Sequence, residues 1–269
     1  MKLDRFRGQQ QSKVDQDADA QARHPAKQRE DADHPVIQGI LEYLSSGKEF
    51  EDNSWAHTID TNNNYQHADW WHYPYASWWE DTPANRFSTD YNPTAGLAGF
   101  ILYFEDPDTD FYDLAKEVAT EAINQFLMIK DCKEMHVVAC FCRLYDYIAE
   151  AGLEAEFPME AFEKRLKEVV FQTITQDVNL YITMWDVNIC RPSTFLRAKD
   201  SMYYEMNKNI AEFELEFIAK TQLGDGSWEV TWEWGKSYPA AWGVAKNWWK
   251  SKIAIQNLLY WSGMMDSEE

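Results

Sequence analysis

The residues with the strongest claim to chemistry are acids and imidazoles set among tryptophan and tyrosine. The run H-A-D-W-W-H holds His67, Asp69 and His72 beside Trp70 and Trp71, and S-W-W-E follows with Trp78 and Trp79. Flat apolar faces with a few polar groups are the usual make-up of a small-molecule site. A His-Asp-His group could in principle hold a metal, but loop histidines at this spacing more often serve as pocket donors or surface residues, and no metal is expected. Asp186 beside Trp185, and Glu205 beside Tyr203 and Tyr204, are the other acids in aromatic stretches. Apolar surroundings would raise their pKa and make them usable general acids. Each could equally cap a helix or pair with Arg191 or Arg197. Asp106, Asp108 and Asp110 have a spacing that can hold Mg²⁺, yet Pro107 and the helix that follows read as a solvated connection. There is no persuasive Ser-His-Asp, Cys-His or phosphate-loop pattern, and no cofactor is expected.

Charge narrows the partners. The 269 residues carry 45 acidic and 25 basic side chains, a formal net charge of -20. Such a surface repels phosphate backbones and anionic headgroups, so nucleic acid is not an expected partner. No apolar run approaches bilayer length, so membrane insertion is not expected either. The first residues lack the apolar core of a signal peptide, which makes a cytoplasmic protein the default expectation. None of the four cysteines forms a C-x-x-C pair, and nothing asks for a disulfide framework. Oligomeric state is left open by the sequence.

These residues need elements to hold them. Residues 1–33 are too polar to offset chain entropy and read as a tail outside the fold. Residues 34–264 read as one domain. Pro35 suits the first turn of a helix whose stripe is Val36, Ile37, Ile40, Leu41 and Leu44. Lys48 to Tyr91 has no helical period and reads as a long aromatic loop folded over one mouth of the domain. Asn92 and Pro93 read as a helix start, and Asp110 as the cap of the next helix. Further helices are expected from Met135, from Pro158, through Met206 to Phe217, from Pro239, and from Ser251 to Trp261, with Gly263 as the last C-cap. The count is about eight helices and no convincing strand.

The organising stretch is F-I-A-K-T-Q-L-G-D-G-S-W at 217–228. Gln222, Gly226 and Trp228 follow an apolar helix end. The pattern resembles the QW repeat of the terpenoid cyclase and protein prenyltransferase β-subunit superfamily, squalene-hopene cyclases included. A fainter echo is E-D-N-S-W at 51–55, where Asn53 replaces the Gly. The resemblance covers roughly His34 to Met264 and implies an all-α fold, an α/α toroid of paired helices around a cavity, here reduced or open. In that family the Gln bonds backbone at a helix end and the Trp stacks over it.

D-Y-N-P-T-A from Asp90 looks like the D-x-D-D-T-A motif of the same cyclases. Asn92 and Pro93 replace its central acids, and an amide cannot protonate an alkene. The resemblance therefore implies a fold without protonation-initiated cyclisation. The asp-x-Cys of a prenyltransferase zinc site is also missing. The functional expectation is a cavity that takes an apolar or isoprenoid-like small molecule, bound by His67, Asp69, Trp70, Trp71, Trp78, Trp79, Trp185 and Trp234. If there is chemistry, Asp90, Asp186 and Glu205 are the candidate acids. Alternatives are a carbohydrate-active or carbohydrate-binding α/α barrel, in which paired acids hydrolyse, and a scaffold with a filled core.

Overall fold

T-A-G-L-A-G at 94–99 lines one helix with small side chains, and that helix becomes the centre of the fold. In the computed structural model, residues 32–72, 91–183 and 189–265 are described. Among them the protein is mostly helical. In chain order the helices are α1 (Pro35–Ser45), α2 (Thr94–Phe104), α3 (Asp110–Met128), α4 (Met135–Ala151), α5 (Met159–Thr173), α6 (Val178–Thr183), α7 (Tyr204–Thr221) and α8 (Pro239–Met265). A short antiparallel pair, β1 (Phe50–Glu51) and β2 (Ser54–Trp55), lies between α1 and α2.

Close approach explains why α2 sits against α4. A Cβ on Gly99 would lie 3.0 Å from the Leu144 Cα and 3.0 Å from the Tyr147 ring. Only glycine lets the two backbones meet there. α2 also packs on α3, α4 on α5, α5 on α3 and α7, and α7 on α8. Phe126, Phe141 and Phe162, one from each of α3, α4 and α5, form the aromatic heart of the core. The first two stack with centroids 4.2 Å apart. Among the described residues these helices form a layered pack, and no ring of helix pairs is displayed.

Several local expectations change. The D-N pair at 52–53 takes left-handed backbone at both residues, φ 50° and 60°, and closes a hairpin where no strand was expected. α2 begins at Thr94 rather than at Pro93, and Pro93 stands before it as a cap residue without a side-chain bond. Thr109, not Asp110, caps α3, because its hydroxyl accepts from the Tyr112 N–H at 3.1 Å. Asp110 is the first residue of the helix, where a carboxylate faces the positive end of the dipole. α1 starts at Pro35 as expected, but only Leu41 and Leu44 of its stripe are buried. The two C-terminal helices expected from Pro239 and Ser251 are one continuous helix. Gly263 lies inside it, pressed against the Arg197 carbonyl, and caps nothing. All four cysteines are free and buried. No described helix is long and apolar enough to cross a membrane.

Candidate functional site

The apolar stripe Ile210–Phe213–Phe217–Ile218 drives α7 onto the core, and its end is closed by the segment that follows. Gln222 Nε2 donates to the Gly226 carbonyl at 3.0 Å, fixing a turn in which Gly226 has φ 83°. The chain then doubles back in extended form. Trp228 drops onto α7 and its indole N–H donates 2.9 Å to the Ile218 carbonyl, an acceptor of the last turn that otherwise has only a long 3.5 Å bond from the Thr221 hydroxyl. The glutamine thus holds the turn and the tryptophan caps the helix. The echo at the front is only partial. Trp55 is as buried as Trp228, 2% exposed in both. Its indole N–H, however, meets no acceptor.

A cleft of about 340 Å³ opens beside this unit. α4 contributes His136 and Arg143, the turn at 191–194 contributes Arg191 and Ser193, and α8 contributes Ile253 and Asn257. Trp228 and Trp232 supply its aromatic faces, with Ile189 and Ile218 beside them. Trp232 is held edge-on by Trp249 of α8, with centroids 5.3 Å apart. Glu229 is the one acid on the lining among the described residues. Lys246 and Lys250 of α8 pair with it at 2.5 and 3.7 Å, and the Lys246 bond holds its pKa below the usual range. The arginines on the lining are Arg143 and Arg191, and the charge of Arg191 acts on Glu214 behind it. Arg143 has the Cys140 thiol as its near partner, 3.8 Å away, and pairs with no carboxylate among the described residues.

Behind the wall lies Glu214, fully buried on α7. Its carboxylate accepts from the Ser193 N–H at 2.8 Å and the Ser193 hydroxyl at 2.6 Å. The Tyr260 hydroxyl reaches it as well, beside the Ala211 carbonyl. Burial pushes its pKa up, while the Ser193 bonds and Arg191 oppose that shift. Glu214 therefore ties the turn carrying Arg191 to α7 and sets where the cleft's cation stands.

The sequence-expected loop residues gather at a different place. Asp69 opens a short 3₁₀ turn, Asp69–Trp71, and docks on residues 234–237. Its N–H donates to the Trp234 carbonyl at 2.8 Å. Its carboxylate accepts from the N–H groups of Lys236 at 2.8 Å and Ser237 at 3.3 Å. A hydrogen bond from the Ser237 side chain, and then the one from the Lys236 N–H, hold the Asp69 pKa low. Gly235 between them has φ 90°, and a Cβ there would strike the Asp69 carboxylate. His67 donates from Nδ1 to the Tyr65 carbonyl at 2.6 Å, and its Nε2 shares a hydrogen bond with His72 Nδ1 at 3.2 Å. Trp70 is half-buried and Trp71 exposed. The structure thus brings His67, Asp69, Trp70, Trp71 and Trp234 together, but none of them lines the cleft.

The expected acids stand elsewhere. Glu205 is exposed on the first turn of α7 and does not line the cleft. Asp90, Asp186, Trp78, Trp79 and Trp185 lie outside the described residues, as does nearly all of the tail at 1–33. In D-Y-N-P-T-A, the Asn92 carbonyl oxygen faces the Cys140 thiol at 3.6 Å. Thr94 binds the hairpin through the Ser54 hydroxyl at 2.8 Å and the Trp55 N–H at 3.0 Å. Asp106 accepts from the Asp108 N–H at 2.9 Å and so serves a turn.

Sequence reasoning missed Arg143, Arg191, Trp232 and Glu214. Glu214 had a signal: Ile210, Glu214 and Ile218 share one face of a helix. Trp228, Val230 and Trp232 alternate, as in an extended segment with one face turned inward. The arginines carried none, because nothing in their neighbours in sequence joins α4 to the turn at 191–194. No family model matches the chain, and neither a curated protein nor a solved structure matches it.

Proposed function

We propose that the chain is a small-molecule-binding domain whose ligand joins an apolar body to an anionic group, seated in the cleft between α4, α7 and α8. The observation that carries this reading is the pairing of two tryptophans with two arginines in a chain of net charge -20. Trp232 offers a flat apolar face, beside the buried Trp228. Arg143 and Arg191 offer planar donors suited to a carboxylate, sulfonate or phosphate. An isoprenoid-like body fits this description. The finer architectural reading, an α/α toroid of the cyclase and prenyltransferase kind, belongs with the proposal. Its support is the Q-x-x-x-G-x-W unit, in which Gln222 and Trp228 secure a helix end beside the cleft. Protonation-type cyclisation is not part of the proposal, since Asn92 stands where the acid would. A sugar hydrolase fits less well: the cleft has one acid, Glu229, and it is held by two lysines.

Native mass spectrometry of the purified chain tests this reading. The expected result is a copurifying small anion with an apolar body, lost in Trp232→Ala. A copurifying neutral sugar, retained in that variant, would overturn it.

A further inference from the structure

The remaining prominent feature is α8, which is apolar on two opposite faces. Ala245, Asn257, Tyr260 and Met264 are buried against the domain. On the far side, Val244, Trp248, Ile255, Leu258 and Leu259 stand in solvent, with Trp248 73% and Leu259 66% exposed. Positions 244, 248, 251, 255 and 258–259 alternate steps of four and three, the spacing of a helix seam that packs on another helix. Apolar stripes of this extent on soluble proteins mark contact surfaces.

We propose that this stripe is the contact between two copies of the chain, paired antiparallel about a two-fold axis between Ser251 and Lys252. The stripe is self-complementary about that point, as an isologous contact requires. Val244 meets Leu259 of the partner subunit, and Trp248 meets Ile255 of the partner subunit. Ser251, exposed and small, leaves room at the crossing. Lys252 already folds over the Trp249 ring at 4.6 Å, which keeps its charge beside an aromatic face. Charge favours the same occupant. Two chains of net charge -20 repel one another over most of their surface. α8 contains no acid, and Lys246 and Lys250 are turned to Glu229 on the cleft side, so the stripe itself sets no carboxylate against its copy. Pairing covers roughly 1,000 Å² in total, near the lower edge of specific interfaces, so a dimer of micromolar strength is expected. The strongly acidic surface argues against the other natural occupant, an anionic lipid surface.

The test is sedimentation of the full chain at micromolar concentrations. The expected result is a dimer whose mass halves in Ile255→Glu and in Leu259→Glu, with helical content unchanged because both sites are exposed. Ser251→Cys should cross-link to itself on mild oxidation. A monomer at all concentrations, or a dimer that survives both Glu substitutions, would overturn the proposal. So would binding of a monomer to phosphatidylglycerol vesicles that the same substitutions abolish, which would assign the face to lipid.

Discussion

The indole N–H of Trp228 donates to the Ile218 carbonyl across 2.9 Å, so one side chain both caps α7 and forms a wall of the cleft. Stability and the proposed binding are joined at this residue. Trp228→Ala should destabilise the protein by about 3–5 kcal/mol, as large aromatic truncations in cores do. Trp228→Phe keeps most of the apolar area and leaves the carbonyl without its donor, for a loss of about 1–3 kcal/mol. Denaturant unfolding measures both. Variants that melt like the parent would show that the unit does not hold the helix end.

Gly99 and Gly39 make a matched pair. A Cβ on Gly99 meets backbone at 3.0 Å, whereas a Cβ on Gly39 of α1 meets nothing within 4 Å. Gly99→Ala should force α2 and α4 apart and cost roughly 1–3 kcal/mol. Gly39→Ala should instead stabilise by roughly 0.5–1 kcal/mol, through helix propensity. Equal effects of the two substitutions would contradict the close approach of α2 and α4.

One carboxylate holds two of the amides in the docking of 65–72 on 234–238. Asp69→Ala removes the acceptor of the Lys236 and Ser237 N–H groups. Faster hydrogen exchange at those two amides is the expected result, with the core amides unchanged. Because the Asp69 pKa is held below its ordinary 3.8, the carboxylate's contribution is present above that value and is lost as pH falls through the lower, folded one. Exchange at Lys236 and Ser237 in the parent should therefore rise only below about pH 3.8. Protection that persists in Asp69→Ala would mean the segment is held by other groups.

Glu214 titrates in the opposite sense. Its folded pKa is raised above the ordinary 4.5, so the folded chain binds this proton more readily than the unfolded one. That contribution favours folding at low pH and is lost as pH rises through the raised value. Glu214→Gln keeps the shape and removes the titration. The variant should gain on the parent as pH rises above 4.5, in unfolding experiments taken across that range. Parallel stability curves would show that Glu214 ionises in the folded protein as freely as in the unfolded.

The helices were legible because their stripes are long and regular: Leu114, Val118, Ala122 and Phe126 on α3 are all buried where the period puts them. The ends were less so. Thr109 and Asp110 are both good caps, and only the packing of α3 decides between them. The helix expected from Ser251 to Trp261 is the second half of α8, with Ser251 exposed in its middle. Of the aromatic loop, Asp69 bonds the Trp234 carbonyl through its N–H, but neither residue lines the cleft. The cleft itself was not legible, since Arg143, Arg191 and Trp232 belong to three segments that only the tertiary fold brings together.

The most direct test of the central claim compares two fluorescent probes of the same aromatic body, anilinonaphthalene sulfonate and the uncharged phenylnaphthylamine. If the cleft pairs tryptophan faces with arginine donors, the sulfonate should bind about tenfold more tightly, equivalent to ~1.4 kcal/mol. Arg143→Gln should erase that preference, and Ile255→Glu on the outer face of α8 should leave it intact. Equal affinity for the two probes, or a preference lost in Ile255→Glu and kept in Arg143→Gln, would contradict the account.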